Sequence, residues 1–353
     1  MIKYKKIVND LISQFNSGKY APNSKIPTEK ELTDIYKVSR VTIRNALDVL
    51  VKRGIIYKVA GKGTFYNGAP TYSAKKNIVV AIVIINANAE IIKIVEGIND
   101  SISSANIKTN TYISNGLSEK DVCEKVINDG ADGIIIFPSE QTKDADYFAK
   151  LVNSNYPIVF LDRSPVRNCN VVKSNSELGM YKMTQYLISC GHRNIAYISS
   201  FGISVLKERY YGFVQALNEH GIKTDRDNLI TLSRTPESIS DNPKAIYDGV
   251  EKLLKNDSIP TAIVCANDII ALHVLTKLRS YNQKIPEISV TGFDNAVYSS
   301  RNAYSITTVE QNFFKIGHEA AKMLLDVIQN GNQNITTLLI PVKLICRDSV
   351  KTI

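Results

Sequence analysis

From residue 77 onward, short runs of β-branched residues alternate with helical apolar periods, a pattern that neither an all-helical nor an all-strand fold accommodates. The runs at 78–85, 133–137, 157–161, 195–198, 262–265 and 288–291 are continuously apolar, as strands buried on both faces must be. Helical spacing fills 90–105, 118–129, 143–154, 176–190, 205–220, 243–255 and 267–281. The alternation predicts a doubly wound, parallel-sheet α/β body over 77–353, with strands enough for two similar lobes.

The first 68 residues have a different texture. Ile7, Val8, Leu11, Ile12 and Phe15 recur at helical spacing up to Gly18. Pro27 precedes Thr28 and Glu31, a capping box that opens a second helix of about two turns. Ser39 is a good N-cap for a third helix, with Val41, Leu47, Leu50 and Val51 as its apolar positions and Gly54 as its stop. Two β-rich stretches then flank Ala60-Gly61-Lys62-Gly63, which reads as a hairpin with a glycine-rich tip. Three helices and a hairpin make an N-terminal winged helix-turn-helix over 1–68. Residues 69–76, with Pro70 and no apolar period, read as a linker.

Charge divides the chain at the same place. Of the formal +9, residues 1–68 hold 13 Lys and Arg against 5 Asp and Glu, while the other 285 residues hold 30 against 29. A basic module on a nearly neutral body suits a polyanion-binding domain joined to something else, although a solubilising basic face has the same arithmetic. The five cysteines are scattered and form no CxxC pair, so neither a disulfide framework nor a zinc site is expected and a reducing cytoplasm is the natural setting. The first residues have no apolar h-region, and no apolar run approaches the roughly 18 residues of a membrane span.

Arg40 and Arg44 stand four apart at the start of the third helix and so share a face; an arginine fork pairs with guanine O6 and N7, and Thr42 can meet a phosphate or a thymine methyl. The alternative is two solvated arginines on an exposed face. The stretch Lys25 to Phe65, KIPTEKELTDIYKVSRVTIRNALDVLVKRGIIYKVAGKGTF, resembles the DNA-binding domain of the gluconate-repressor (GntR) family of bacterial regulators. The resemblance implies DNA-contacting roles for Glu29, Arg40, Arg44, Gly61 and Gly63, and a backbone-contacting role for Lys3. Ser39, Thr42 and the wing's Lys62 complete the expected interface. Ala60 replaces a polar wing residue found in a member of that family.

Open parallel sheets bind ligands at the carboxyl ends of their strands. Asn86, Pro138-Ser139, Asp162-Arg163, Ser199-Ser200, Asn267-Asp268 and Asp294 occupy those positions here, and Arg209 lies on the helix after Ser200. Amides, carboxylates and a guanidinium suit vicinal hydroxyls; with no Trp, ring stacking falls to Tyr or Phe. The alternative is that Asn267 and Asp294 cap the helix or turn after each. In order along the chain, Gly191-His192-Arg193-Asn194-Ile195, Arg209 to Phe213, Pro260 to Asp268, Ile288 to Asp294 and Thr307-Thr308-Val309 resemble the periplasmic-binding-protein-like effector domain of the lactose/galactose-repressor family. That resemblance implies effector contacts for Arg209, Asn267 and Asp294, to which Ser139 is added from its strand-end position. Ser174 stands where many such sensors carry a ligand-contacting Asp, and the 86–90 segment is short and lacks aromatics, so the expected effector is a sugar or related polyol.

There is no phosphate loop and no GxGxxG after a strand, and His192, His220, His273 and His318 are scattered, so no catalytic residue, metal or cofactor is expected. The expectation is a cytoplasmic, sugar-responsive repressor that binds operator DNA as a homodimer. The competing reading is a cytoplasmic ligand-binding or enzymatic α/β protein with a basic appendage.

Overall fold

The computed structural model describes residues 3–52, 54–68, 78–103, 106–114, 117–139, 142–233, 243–282, 285–300, 305–331 and 335–353. The stretch 69–76, with its expected linker, lies outside them, as does the side chain of Lys3. The chain divides into two compact units, Met1–Ile78 and Val79–Ile353.

In the first unit α1 (Lys3–Asn16), α2 (Glu29–Tyr36) and α3 (Arg40–Lys52) precede a hairpin of β1 (Ile56–Val59) and β2 (Gly63–Tyr66). The capping box forms as its spacing predicts: Glu31 N–H donates to Thr28 Oγ1 at 3.3 Å and Thr28 N–H to Glu31 Oε2 at 2.7 Å. Val8, Leu11, Phe15, Leu32, Ile43, Leu47, Leu50 and Ile56 close one core, with Phe15 stacked on Tyr66 at 4.4 Å. Val59 pairs with Gly63 across the tip, where Gly61 (φ 72°) and Gly63 (φ 120°) take backbone conformations that side chains resist. The apolar stripe of α3 differs from the expected one. Val41 is 68% exposed, and the stripe is Ile43, Ala46, Leu47 and Leu50, because position 41 falls opposite those residues on the helix.

The second unit has two lobes. A six-stranded sheet, ordered β13-β7-β6-β5-β3-β4, comprises β3 (Ile78–Ile84), β4 (Ile107–Ile113), β5 (Gly133–Ile136), β6 (Ile158–Leu161), β7 (Asn170–Ser174) and β13 (Thr337–Ile340). A four-stranded parallel sheet, β11-β10-β8-β9, comprises β8 (Ile195–Ser199), β9 (Leu229–Thr231), β10 (Ala262–Cys265) and β11 (Ser289–Thr291). The chain passes between the lobes after β7, at the end of β12 (Thr308–Glu310) and between β13 and β14 (Lys343–Ile345); β12 and β14 pair antiparallel. Helices α4 (Ala89–Ser101), α5 (Glu119–Asn128) and α6 (Ala145–Asn153) belong to the first lobe. α7 (Ser176–Ser189), α8 (Ser204–Glu219), α9 (Lys244–Leu253) and α10 (Asp268–Arg279) belong to the second, and α11 (Phe313–Asn330) returns to pack on α4. Among the described residues no helix is long and apolar enough to cross a membrane.

Strands β4, β7, β9 and β12–β14 and helix α11 go beyond the elements expected from the sequence. β4 alternates half-buried and exposed residues (IKTNTYI) at a sheet edge, so it lacks the buried run that marks the central strands.

The α4–α11 crossing depends on two glycines. A Cβ at Gly97 would lie 2.0 Å from Phe314 O, and one at Gly317 2.0 Å from Ile94 O, so both neighbours are backbone and cannot rotate away. Gly317→Ala should destabilise the protein by about 1–3 kcal/mol or more through overpacking. Gly202→Ala, with nothing within 4 Å, is the control expected to stay within about 0.5 kcal/mol. Denaturant midpoints of the two variants check this; equal midpoints would sink it.

Candidate functional site

On the basic unit, Ser39 Oγ accepts from Thr42 N–H at 3.3 Å and lies 2.8 Å from Thr42 Oγ1, so the Thr42 hydroxyl is engaged within the first turn of α3. Arg40 is exposed, and Arg44 Nη2 lies 3.2 Å from Glu29 Oε2, which tethers the guanidinium to the start of α2. An exposed pair of this kind adds little stability; what it fixes is where Arg44 points. Lys62 is exposed at the wing tip, and Lys58 of β1 reaches Asp48 of α3 at 2.9 Å, holding wing and helix together. Gly63 faces Lys25, whose Cε would lie 2.5 Å from a Cβ there.

In the two-lobed unit Arg209 meets Asp294, which follows β11, at the strand ends. Arg209, 5% exposed on α8, has Nη2 3.2 Å from Asp294 Oδ1 and donates from Nη1 to Ala266 O at 2.7 Å. Its guanidinium lies 3.9 Å from the Phe293 ring centroid. Arg209 Nε and Ser200 Oγ are buried with no hydrogen-bond partner among the described residues. Asp294 sits at φ 115° in the loop after β11 and accepts from Gln311 Nε2 at 2.5 Å. Gln311 in turn accepts from Ser174 Oγ at 2.5 Å, so Ser174 and Gln311, in two of the passages between lobes, are chained to Asp294. Burial raises the Asp294 carboxyl to about 6 against the opposing pull of Arg209; the charges of Glu90 and Asp162, across the cleft, raise it too.

Asn267 is 7% exposed, and its Oδ1 accepts from Ile270 N–H at 3.0 Å as the N-cap of α10. Ser139 is held through its backbone: its N–H donates to the buried Glu119 Oε1 at 2.5 Å. Asp268, which sequence reasoning places only at a strand end, has a role that its local spacing does not reveal. Wholly buried, it accepts from Thr308 Oγ1 at 2.6 Å and Ala296 N–H at 2.8 Å, and so pins the loop that carries Asp294. Gly292 makes room for it, since a Cβ there would lie 2.1 Å from Asp268 Oδ1. Burial and the Asp294 charge raise Asp268 to about 7. His192, between Thr261 Oγ1 (2.9 Å) and Lys351 O (3.0 Å), anchors the C-terminal segment. Among the described residues no cluster of His, Cys, Asp or Glu could hold a metal ion.

A winged helix joined to a two-lobed body with a polar cleft at its strand ends defines a ligand-responsive transcription regulator. Residues 3–65 match the family of bacterial regulatory proteins called gntR, and residues 184–350 match the periplasmic binding protein-like domain. The chain joins a gntR-type DNA-binding domain to a periplasmic-binding-protein-like domain and belongs with the PurR-type transcriptional repressors. It is 28% identical to the arabinose metabolism transcriptional repressor of Geobacillus stearothermophilus over 99% of this chain and 98% of that one. It is 30% identical to the transcriptional repressor PurR of Pasteurella multocida over 66% of this chain and 68% of that one. A ribose-bound LacI family regulator from Enterococcus faecium superposes with a TM-score of 0.64 at 25% identity, covering 78% of this chain and 99% of that structure. The chain is a DNA-binding transcriptional repressor and not an enzyme.

Proposed function

We propose that this repressor acts in the cytoplasm as a homodimer on operators of carbohydrate-utilisation genes, with residues 1–68 reading DNA, 69–76 connecting and 77–353 sensing. A small sugar bound between the lobes of the second unit controls operator affinity. The observation that carries the reading is the Arg209–Asp294 pair, whose arginine Nε is buried with no hydrogen-bond partner among the described residues. Such groups can satisfy vicinal hydroxyls that would otherwise remain unpaired. The relatives named for arabinose metabolism and bound to ribose support a pentose-sized ligand. Control is linkage: if the sugar prefers one lobe arrangement and the operator another, each weakens the other by the same coupling, typically about 1–3 kcal/mol.

The test is fluorescence anisotropy on operator duplex selected by the full-length protein, titrated with L-arabinose, D-ribose, D-xylose and their phosphates. Release by one or more of these sugars at about 5–150-fold weaker operator affinity is the expected result. Tight, selective DNA binding that none of them alters would overturn the sugar assignment.

A further inference from the structure

We propose that Val41 is a base-reading residue that recognises the C5-methyl group of a thymine in the operator. The proposal rests on the reading of α3 as the helix that enters the major groove. At about 100° per residue, the direction opposite the buried stripe of α3 falls within about 10° of Val41. Arg44 and Asn45, both exposed, flank it on that face. Thr42, by contrast, falls toward the edge of the buried stripe, is half-buried and has its hydroxyl 2.8 Å from Ser39 Oγ. The Thr42 hydroxyl is thus engaged within the helix turn, and Val41 takes the outward position.

The fold gains nothing from a valine there. At 68% exposure it buries little apolar surface, and a β-branched residue in an exposed helical turn is less favourable than alanine. Beside the arginines that bring α3 to the phosphates and guanines, an apolar group has one complementary feature in the major groove, the thymine methyl. The stiff isopropyl group, held largely to one rotamer in a helix, meets that methyl without losing side-chain freedom.

The experiment uses the full-length protein and a duplex that it enriches from a random pool, with each thymine replaced singly by deoxyuridine to remove only the methyl group. For the parent protein, affinity should fall about fourfold at one or more positions, the worth of one buried methyl. Val41→Ser should bind the thymine duplex about fourfold or more weakly and be indifferent to deoxyuridine at that position, with an unchanged melting temperature. A parent indifferent to every replacement, or a Val41→Ser variant that keeps the parent's sensitivity, overturns the assignment while leaving DNA reading by α3 in place. Failure to enrich any sequence overturns both.

Discussion

Arg40→Ala combined with Arg44→Ala should lower affinity for a selected operator about a hundredfold or more while barely changing affinity for unrelated DNA beyond the loss of two charges. Each bidentate arginine–guanine pair is worth about 1–3 kcal/mol of discrimination, and the two sit on one face of α3. Folding should be untouched, because Arg40 is exposed and the Arg44–Glu29 pair is too solvated to matter for stability. Glu29→Ala separates positioning from contact. It leaves Arg44 in place but unaimed, so selectivity should fall by less than in Arg44→Ala. Lys62→Ala at the wing tip should weaken all sequences alike and reduce the salt slope by about one. Anisotropy against selected and scrambled duplexes from about 50 to 200 mM salt reads all four variants. Equal losses on both duplexes for the double variant would assign the arginines to phosphates.

The features legible in the sequence are those set by neighbours in the chain. The Thr28–Glu31 box, the glycine-rich wing tip and the apolar strands β3, β5, β6, β8, β10 and β11 depend on spacing of a few residues, and the structure has them where the spacing puts them. Val41 shows where composition alone misleads. It is apolar, but its angular position, fixed by Ile43, Leu47 and Leu50, places it outward. The polar network around Asp294 is illegible for a different reason. Gln311 joins Ser174, 137 positions earlier, to Asp294, and Asp268 reaches Thr308, 40 positions on. No local period encodes such pairs; they exist because three chain passages lie side by side between the lobes. The helix α11 carries Ile316, Ala320, Leu324 and Val327 at readable spacing, and its close seat on α4 depends on Gly97 and Gly317, which that spacing does not reveal.

Asp294→Ala should weaken effector binding about tenfold or more and leave operator affinity without sugar nearly unchanged. The carboxylate has its Oδ1 on Arg209 and Gln311, so its other oxygen is the one left for a ligand hydroxyl, and losing a partner for a buried hydroxyl costs about 1–3 kcal/mol. The ionisation of Asp294 adds a signature that a merely loop-fixing residue would not give. Because its carboxyl stands at about 6, raised by burial, binding that requires the carboxylate should weaken about tenfold per pH unit below 6. The sign for folding is the reverse. A carboxyl raised from 3.8 to about 6 favours the folded chain below about pH 4 and loses that contribution as pH rises through 6. Effector affinity and this group's share of stability therefore move in opposite directions between pH 4 and 6. Asp294→Asn, which keeps an acceptor but cannot titrate, should bind sugar more weakly than the parent and show no break near pH 6. The measurement is sugar-driven release from operator at pH 5.5, 6.5 and 7.5, with the same variants melted at each pH. If Asp294→Ala releases as readily as the parent, or Asp294→Asn keeps the parent's pH break, Asp294 serves only to hold its loop, and Arg209 with Ser200 must carry the sugar without it.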